Sequence, residues 1–529
     1  MDVPAPACRR LSAAAVFVAA GLILTSAGCH RAGGPPVQST PGSAPVEKPL
    51  PEPPAKEIVP EEGGEGTFAL EDPFTSVAAP RLATSSDRFL RGLAFRGLTR
   101  MDATGRIEAE LALQWEMLQD GIEWVFHLRP ETQFTNGRYL EARHVVASWE
   151  KLILASDSPD AWLLEPVKGY EEARAGKSPH VSGLVLEDGL TLRVALRRPL
   201  RNFPARLAHP ALGISAFGED VEGIGPFQIW GTPKPSLVVL RSNPEYFHGL
   251  PHLDEIAFVR GEAAGRDRIP TGSLDLAVLG PSEKASPDSL ARVFTHAAGR
   301  VYLLGLNRAA GPFSRGGTAL RFVRSLDRRS LAQALAGELG SVPATLLVDA
   351  AGEKGMAVTP APAEATPAGL GRLDLIYPEG DRPAARLAEE LGTRIAKSGG
   401  RVFPHAVRAS DFSGALDRRE FHLFIVPSLS TTLDPLLRLQ EMIRWNRSIP
   451  PTMLAAFVEL ESEGDPSRIA TGLASLDASL REQGYLVPLA RVPRRFLVAK
   501  GICGLRPDPI GTLDWTRVWR SRRAGGECD

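Results

Sequence analysis

The sequence is poor in cysteine and almost without net charge, and both shortages narrow what the protein can be. Four cysteines in 529 residues cannot support a small disulfide-rich scaffold. The 61 basic and 62 acidic residues give a formal net charge of −1, so charge offers no argument for a nucleic acid, anionic lipid or strongly charged substrate. The apolar share of 43% and charged share of 23% are typical of a soluble globular protein.

The sequence also lacks the motifs of common enzymes. It contains no Gly-x-Ser-x-Gly and no glycine-rich phosphate loop followed by Lys-Ser/Thr, so nothing indicates a hydrolase or a nucleotide-binding enzyme. His248 and His252 have the spacing of two metal ligands on a helix, but Gly249 and Pro251 favour a surface loop there. We therefore predict no catalytic residue, no metal site and no cofactor.

The N-terminus has the features of an export signal. Arg9-Arg10 precede an apolar run from Leu11 to about Leu24, which is shorter than the roughly 20 residues that span a bilayer. We predict a signal peptide over residues 1–28, because small residues follow the apolar run. Ala27-Gly28-Cys29 resembles a bacterial lipobox, which implies lipid attachment at Cys29 and a membrane anchor. Cleavage by an ordinary signal peptidase and an uncleaved transmembrane anchor are the alternatives.

Residues 29–66 are rich in Pro, Gly, Ser and Glu and show no apolar periodicity. Such a segment buries too little surface to offset its chain entropy, so we predict a disordered tether. The rest of the chain is long enough for two or three lobes. Cys503 and Cys528 could form a disulfide in an oxidising envelope, or remain as one buried and one terminal thiol.

Local patterns predict a mixed α/β fold. Asp120-Gly121 separates two apolar runs, which predicts a β-hairpin with one aromatic face, and a helix follows the turn at Asn136-Gly137. Further along, strands at 373–377 and 401–407 flank a helix at 383–397. This β-α-β unit requires a parallel sheet. We also predict amphipathic helices, at residues 320–336 and 469–482.

The hairpin and the following helix carry a family resemblance. The stretch 111–146 resembles the signature of the family 5 solute-binding proteins of ABC importers, relatives of oligopeptide-, dipeptide- and nickel-binding proteins. The matching positions are Leu111-Ala112, Trp115, Asp120-Gly121, Phe126, Leu128-Arg129, Phe134, Gly137, Ala142 and Val145. Further segments keep the family's order from Leu70 to Leu489. His144 stands where the family usually has aspartate, which predicts a weaker helix start.

The resemblance implies a type II periplasmic-binding-protein clamshell, with two lobes, an extra inserted subdomain and two hinge crossings. Ligand would then lie between the lobes. The implied boundaries are lobe I at 67–104 and 221–306, the inserted subdomain at 105–220, lobe II at 307–484, and the return to lobe I with the C-terminal tail at 485–529.

The resemblance also points to a ligand loop. Peptide-binding members hold the peptide's amino group with an aspartate in a loop reading Trp-x-Ala-Asp-Tyr-x-Asp-Pro. Asp434-Pro435 matches this loop, whereas Ser428 replaces the tryptophan and Thr431 the aspartate. Because a hydroxyl cannot neutralise an ammonium group, a neutral or differently oriented ligand is favoured. The implied contact residues, with plain loop hydroxyls as the alternative, are Ser428, Ser430, Thr431, Thr432 and Asp434.

Together these features imply a monomeric lipoprotein of the bacterial cell envelope, periplasmic or otherwise extracytoplasmic. It would capture a peptide or other small solute and present it to the permease subunits of an ABC importer. Neither catalysis nor nucleic acid is involved in this hypothesis. The alternative is a degenerate relative that acts as an envelope sensor or scaffold without transport.

Overall fold

The computed structural model describes residues 59–72, 74–217, 221–261, 265–284, 290–315, 317–347, 363–428, 432–506, 513–523 and 528. The predicted signal peptide and Cys29 lie outside these residues, as does most of the predicted tether. The first strand begins at Glu65, so the last two residues assigned to the tether belong to the sheet instead.

The described residues form eighteen strands and eleven α-helices. The strands are β1 Glu65–Leu70, β2 Thr99–Met101, β3 Ile107–Ala109, β4 Ala112–Leu118, β5 Glu123–Leu128, β6 Leu184–Leu186, β7 Thr191–Ala195, β8 Phe227–Lys234, β9 Leu237–Ser242, β10 Glu255–Arg260, β11 Leu276–Leu279, β12 Ala291–Leu306, β13 Arg372–Pro378, β14 Arg401–Val407, β15 Leu423–Ser428, β16 Leu486–Ala499, β17 Ile502–Cys503 and β18 Trp519–Arg520. The helices are α1 Ser85–Ala94, α2 Ala142–Leu154, α3 Tyr170–Arg174, α4 Phe203–Leu207, α5 Thr318–Arg324, α6 Arg328–Ala336, α7 Arg382–Ala396, α8 Ala409–Arg418, α9 Pro435–Trp445, α10 Pro451–Ser462 and α11 Pro466–Glu482. Within the described ranges, none of these helices has both the length and the apolar character that crossing a bilayer requires.

One ten-stranded sheet runs through both lobes, in the order β14-β13-β15-β12-β16-β11-β1-β10-β9-β8. Strands of lobe II occupy one end and strands of lobe I the other. The long strands β12 and β16 pair with each other between them, and β12 also pairs with β15 while β16 pairs with β11. These two strands connect the lobes, which confirms the predicted mixed α/β clamshell with two hinge crossings.

The hinge pair is interrupted near its middle. The register between β12 and β16 shifts between His296 and Arg300. At Gly299 a side chain would collide with the carbonyl oxygen of Val492, so the close approach of the two backbones requires glycine. The break separates the part of the hinge pair in lobe I from the part in lobe II.

Lobe II contains the predicted β-α-β unit. Strands β13 and β14 pair in parallel and α7 connects them, with Leu387 and Leu391 buried on its inner face. The helix predicted at 320–336 is instead two helices, α5 and α6. The carboxylate of Asp327 accepts a hydrogen bond from the Ser330 N–H at 3.1 Å, and this N-cap begins the second helix.

The inserted subdomain contains the predicted hairpin. Strands β4 and β5 pair antiparallel through the turn at Asp120-Gly121, and their sheet packs on α2. His144 corrects the expectation of a weaker helix start, because its Nδ1 accepts a hydrogen bond from the Glu141 N–H at 3.0 Å. Burial lowers the pKa of His144, which favours the neutral ring that this bond requires.

Candidate functional site

A cavity of about 710 Å³ lies against lobe I. Its wall is formed by the end of β1, by α1, by the β2–β3 hairpin, by β16 and by the C-terminal segment 513–517. Four aromatic rings belong to this wall, those of Phe89, Phe258, Phe496 and Trp515. The volume and the largely apolar lining are those of a site for a small molecule.

Trp515 packs against two of the other rings. Its ring centroid lies 5.0 Å from that of Phe258 and 6.0 Å from that of Phe89. The segment that carries it returns to the sheet, where β18 pairs with β17. A disulfide joins Cys503 to Cys528, with their Cα atoms 5.2 Å apart. Of the two alternatives for these cysteines, a disulfide or two separate thiols, the structure therefore has the disulfide.

A buried carboxylate forms another part of the wall. The Glu110 side chain is 1% exposed and lies 3.1 Å from Arg96 Nε, 3.5 Å from Arg100 Nε and 3.0 Å from His248 Nε2, while the Tyr246 hydroxyl donates to it at 3.2 Å. Burial alone would raise the pKa of Glu110. The hydrogen bond from His248 and the charge of Arg96 outweigh burial, so the pKa is lowered. We call these five residues the Glu110 cluster.

The cluster also explains the histidine pair. His248 contacts Glu110, whereas His252 Nδ1 lies 2.8 Å from a carboxylate oxygen of Glu62, so the two rings serve different partners. Across the described part of the chain, no group of three or more His, Cys, Asp and Glu side chains is placed to hold a metal ion.

The cavity reaches the hinge strands through Glu71 at the end of β1. Glu71 lies 2.8 Å from Arg300 of β12 and 3.1 Å from Arg494 of β16. Its neighbour Asp72 also pairs with Arg300, at 2.8 Å. Lobe I is therefore tied by charge to both hinge strands next to the cavity.

The predicted ligand loop has a clear structural role. Ser428 ends β15, and Ser430 and Thr431 lie outside the described residues. The hydroxyl of buried Thr432 accepts from the Asp434 N–H at 3.0 Å. Asp434 in turn caps α9, accepting from the Leu437 N–H at 2.7 Å, and burial raises the pKa of its carboxyl group.

The described residues of the loop lie beside the cavity, and none of these described residues belongs to its wall. The Leu433 N–H contacts the Met101 sulfur at 3.1 Å, and Met101 belongs to the cavity wall. Ser428, Thr432 and Asp434 are absent from that wall, so their contact with a ligand stays a prediction. Sequence reasoning missed the wall residues Arg96 and Trp515, since neither belongs to a motif that indicates binding.

A second buried carboxylate joins lobe II to the inserted subdomain. Glu461 of α10 contacts Arg206 of α4, and both side chains are 1% exposed. Arg198 lies 2.7 Å from the other Glu461 oxygen. Leu437 of α9 packs into the core of the inserted subdomain. We call Glu461, Arg198 and Arg206 the Glu461 cluster; it spans the contact between the two regions.

Glu441 of α9 lies in the same contact region. Burial raises the pKa of its carboxyl group to about 7, from an ordinary value of 4.5. The charge of Arg88 opposes this rise and that of Asp160 adds to it, while Arg438 and Arg444 also oppose it. Arg88 and Asp160 pair with each other at 2.8 Å, so Arg88 is not free to neutralise Glu441 fully.

The comparison with known families agrees with this architecture. A sequence profile described as "Bacterial extracellular solute-binding proteins, family 5 Middle" matches residues 106–365. This chain is a family 5 solute-binding protein. The matched residues include the inserted subdomain, the second part of lobe I and β12.

Curated relatives of this solute-binding protein match only in part. It is 32% identical to YhjP, an uncharacterised protein of Bacillus subtilis, over 27% of this chain and 23% of that protein. It is 27% identical to YgiS of Escherichia coli, named as a probable deoxycholate-binding periplasmic protein, over 48% of this chain and 51% of YgiS. The chain thus spans about half or less of the length of these relatives.

Solved structures confirm the fold over a longer range. The murein tripeptide binding protein MppA of Escherichia coli superposes with a TM-score of 0.71, covering 88% of this chain and 100% of MppA. The sequence identity is 19%, so this likeness establishes the two-lobe fold of the solute-binding protein and not its ligand.

Proposed function

We propose that this protein is the solute-capturing component of an ABC importer and holds a small solute in the cavity beside the hinge strands. The observation that carries the proposal is the cavity of about 710 Å³ with four aromatic rings in its wall. It lies next to Glu71, which follows β1 and pairs with Arg300 of β12 and Arg494 of β16. Solute contacts that are stronger in the closed form than in the open form would shift the population toward the closed form. No catalytic step is part of this proposal.

The ligand in this proposal is a peptide or another small solute. MppA is named for a murein tripeptide and YgiS for deoxycholate, so related folds serve both kinds of molecule. The importer's permease subunits would receive the solute from the closed form. The protein would act outside the cytoplasm as a monomer, held at a membrane by lipid on Cys29.

Native mass spectrometry of protein purified from the cell envelope tests solute capture directly. We expect a non-covalent small molecule that is lost on denaturation. Adding back that molecule, or a hit from a library of peptides, sugars and metal chelates, should raise the melting temperature, since a ligand at 100 times its Kd stabilises by about 2.7 kcal/mol. Absence of both a co-purified molecule and any stabilising compound would contradict the proposal.

Anchoring is tested separately. A Cys29→Ser variant should move from the membrane fraction to the soluble envelope fraction, and the wild-type protein should carry the mass of a lipid modification. Equal membrane association of both proteins would contradict lipid attachment and favour an uncleaved anchor. Solute binding by the purified protein should be the same in both cases.

A degenerate relative without transport is the second candidate. It is favoured by the predicted ligand loop, where Thr432 and Asp434 bond to their own backbone and Leu433 contacts Met101. In this case solute binding would be absent, while the closed contact between lobe II and the inserted subdomain would persist. Small-angle scattering with and without the stabilising solute separates the two, because only an importer component should become more compact.

A further inference from the structure

The carboxylates of the cavity wall are already occupied within the protein. Glu71 pairs with Arg300 and Arg494, and Glu110 has the four donors of its cluster. Three further carboxylates bond to neighbouring donors: Asp102 to Thr104, Glu108 to Arg100, and Asp514 to Thr516. Four of these five carboxylates therefore pair with an arginine, and Asp102 accepts only from neutral donors.

The arginines of the wall have donors to spare. The Arg100 and Arg517 side chains are 51% and 59% exposed, and each has a carboxylate on only part of its guanidinium group. Arg506 is also exposed, and no carboxylate of the described chain lies within 4 Å of it. A guanidinium carries five N–H donors and cannot lose its charge, so these groups favour an acceptor that is itself anionic.

The lining of the cavity also includes apolar side chains. These apolar residues are Phe89, Phe258, Phe496 and Trp515, together with Leu276 and Leu513. Covering these side chains with an apolar group removes them from water and stabilises the complex, at about 25 cal/mol per Å² of apolar area. The lining of the cavity thus combines apolar and cationic side chains.

From this arrangement, and resting on the proposed function, we infer that the solute is an amphipathic acid with an apolar body and one anionic group. The body would lie against the aromatic rings, and the anionic group would accept hydrogen bonds from Arg100, Arg506 or Arg517. A free amino terminus, in contrast, would meet several arginines, and four of the five wall carboxylates already pair with one of them, so it would gain little counter-charge for the hydration that it loses.

Three ligands with the same body and different heads test this inference. Decanoate, decanamide and decylamine are titrated into the full-length protein by calorimetry, below the concentrations at which they form micelles. We expect decanoate to bind most tightly, on the order of tenfold more tightly than decylamine, since a hydrogen bond to a charged group is worth about 1.5–3 kcal/mol. Decanamide should lie between them.

Variants connect the preference to the arginines. The double variant Arg506→Gln and Arg517→Gln should weaken decanoate binding on the order of tenfold and leave decanamide binding within about twofold. Arg382→Gln is the matched control, because Arg382 is an exposed arginine of α7 away from the cavity, and it should change neither affinity. Arg506 and Arg517 are both exposed, so we expect the double variant to fold like the wild type.

The outcomes separate this inference from the proposed function. Tighter binding of decylamine, or of a peptide through its free amino group, would overturn the inference while the protein remained a solute-binding component. An unchanged decanoate affinity in the double variant would also overturn it. If none of decanoate, decanamide and decylamine binds and no compound of the library raises the melting temperature, both the inference and the proposed function fail.

Discussion

Glu110 and Glu461 are equally buried carboxylates that hold arginines, yet they differ in where their partners lie. The partners of Glu110 lie in lobe I, Glu110 itself lies at the start of the inserted subdomain, and no member of the cluster belongs to lobe II. The partners of Glu461 lie across the contact between lobe II and the inserted subdomain. One cluster can therefore stay intact when the lobes separate, whereas the other must break.

The difference shows that burial alone does not define what a charged pair contributes. A buried pair within one body contributes to the stability of that body. A buried pair between two bodies contributes to the equilibrium between open and closed forms, because the open form returns its charges to water.

The largest expected effect comes from Glu110→Ala. Removing this carboxylate leaves Arg96 and His248 without their shared partner in a site that does not open, so the free energy of unfolding should fall by about 3 kcal/mol. Urea denaturation measures it. Glu108→Ala is the control, since the Glu108 side chain is 40% exposed and its loss should cost less than about 1 kcal/mol. An equal fall in the free energy of unfolding for Glu110→Ala and Glu108→Ala would contradict the special role of the buried carboxylate.

Glu461→Ala should have a smaller effect on unfolding, about 1–2 kcal/mol, and a clear effect on shape. Without the carboxylate, Arg206 remains charged and buried in the closed form, but opening the lobes hydrates it. Small-angle scattering without ligand should show a larger radius of gyration than for the wild type. Glu459→Ala, on the exposed face of the same helix, should leave the radius unchanged. A compact Glu461→Ala protein would contradict the comparison.

Glu441 adds a pH dependence to the movable contact. Its pKa is raised in the folded protein, so the folded form binds the proton more tightly, and stability is lost as pH rises from about 4.5 to about 7. Glu441→Gln stays neutral and should be more stable than the wild type above pH 7, by about 1 kcal/mol, with no gain at pH 4. Thermal unfolding across pH measures this. Glu389→Gln, an exposed change on α7, should show no such dependence.

The smallest effects are expected at the outer arginines. Arg100→Gln and Arg198→Gln each leave another arginine on the carboxylate and should cost about 0.5 kcal/mol in urea denaturation. Only Arg198→Gln should also raise the radius of gyration without ligand, because Arg198 contacts Glu461 across the lobe contact. A larger radius of gyration for Arg100→Gln would mean that the Glu110 cluster also stabilises the closed form of the two lobes.

Local patterns predicted much of the fold because they arise from contacts close in sequence. The hairpin at Asp120-Gly121 and the β-α-β unit around α7 follow from turn residues and periodicity. The predicted helix at 320–336 ignored Asp327, whose side chain begins a second helix. Asp434-Pro435 was interpreted only as part of a ligand loop, although an acidic residue before proline is also typical of a helix start.

The cavity could not be predicted in the same way. Its wall combines Arg96, Tyr246 and Trp515, which are separated by hundreds of residues and meet only after the sheet has formed. Whether an arginine in this wall is paired or has donors to spare depends on neighbours such as Glu110 and Asp514. Those distances are properties of the folded chain and leave no local pattern in the sequence.

The disulfide between Cys503 and Cys528 makes the structure of the cavity wall depend on the compartment in which the chain folds. The two cysteines enclose the segment that carries Trp515, so the aromatic wall is covalently closed only where thiols become oxidised. We expect a chain retained in a reducing cytoplasm to have a looser wall and weaker solute binding. A precursor of this kind would be poorly suited to sequester its solute before export.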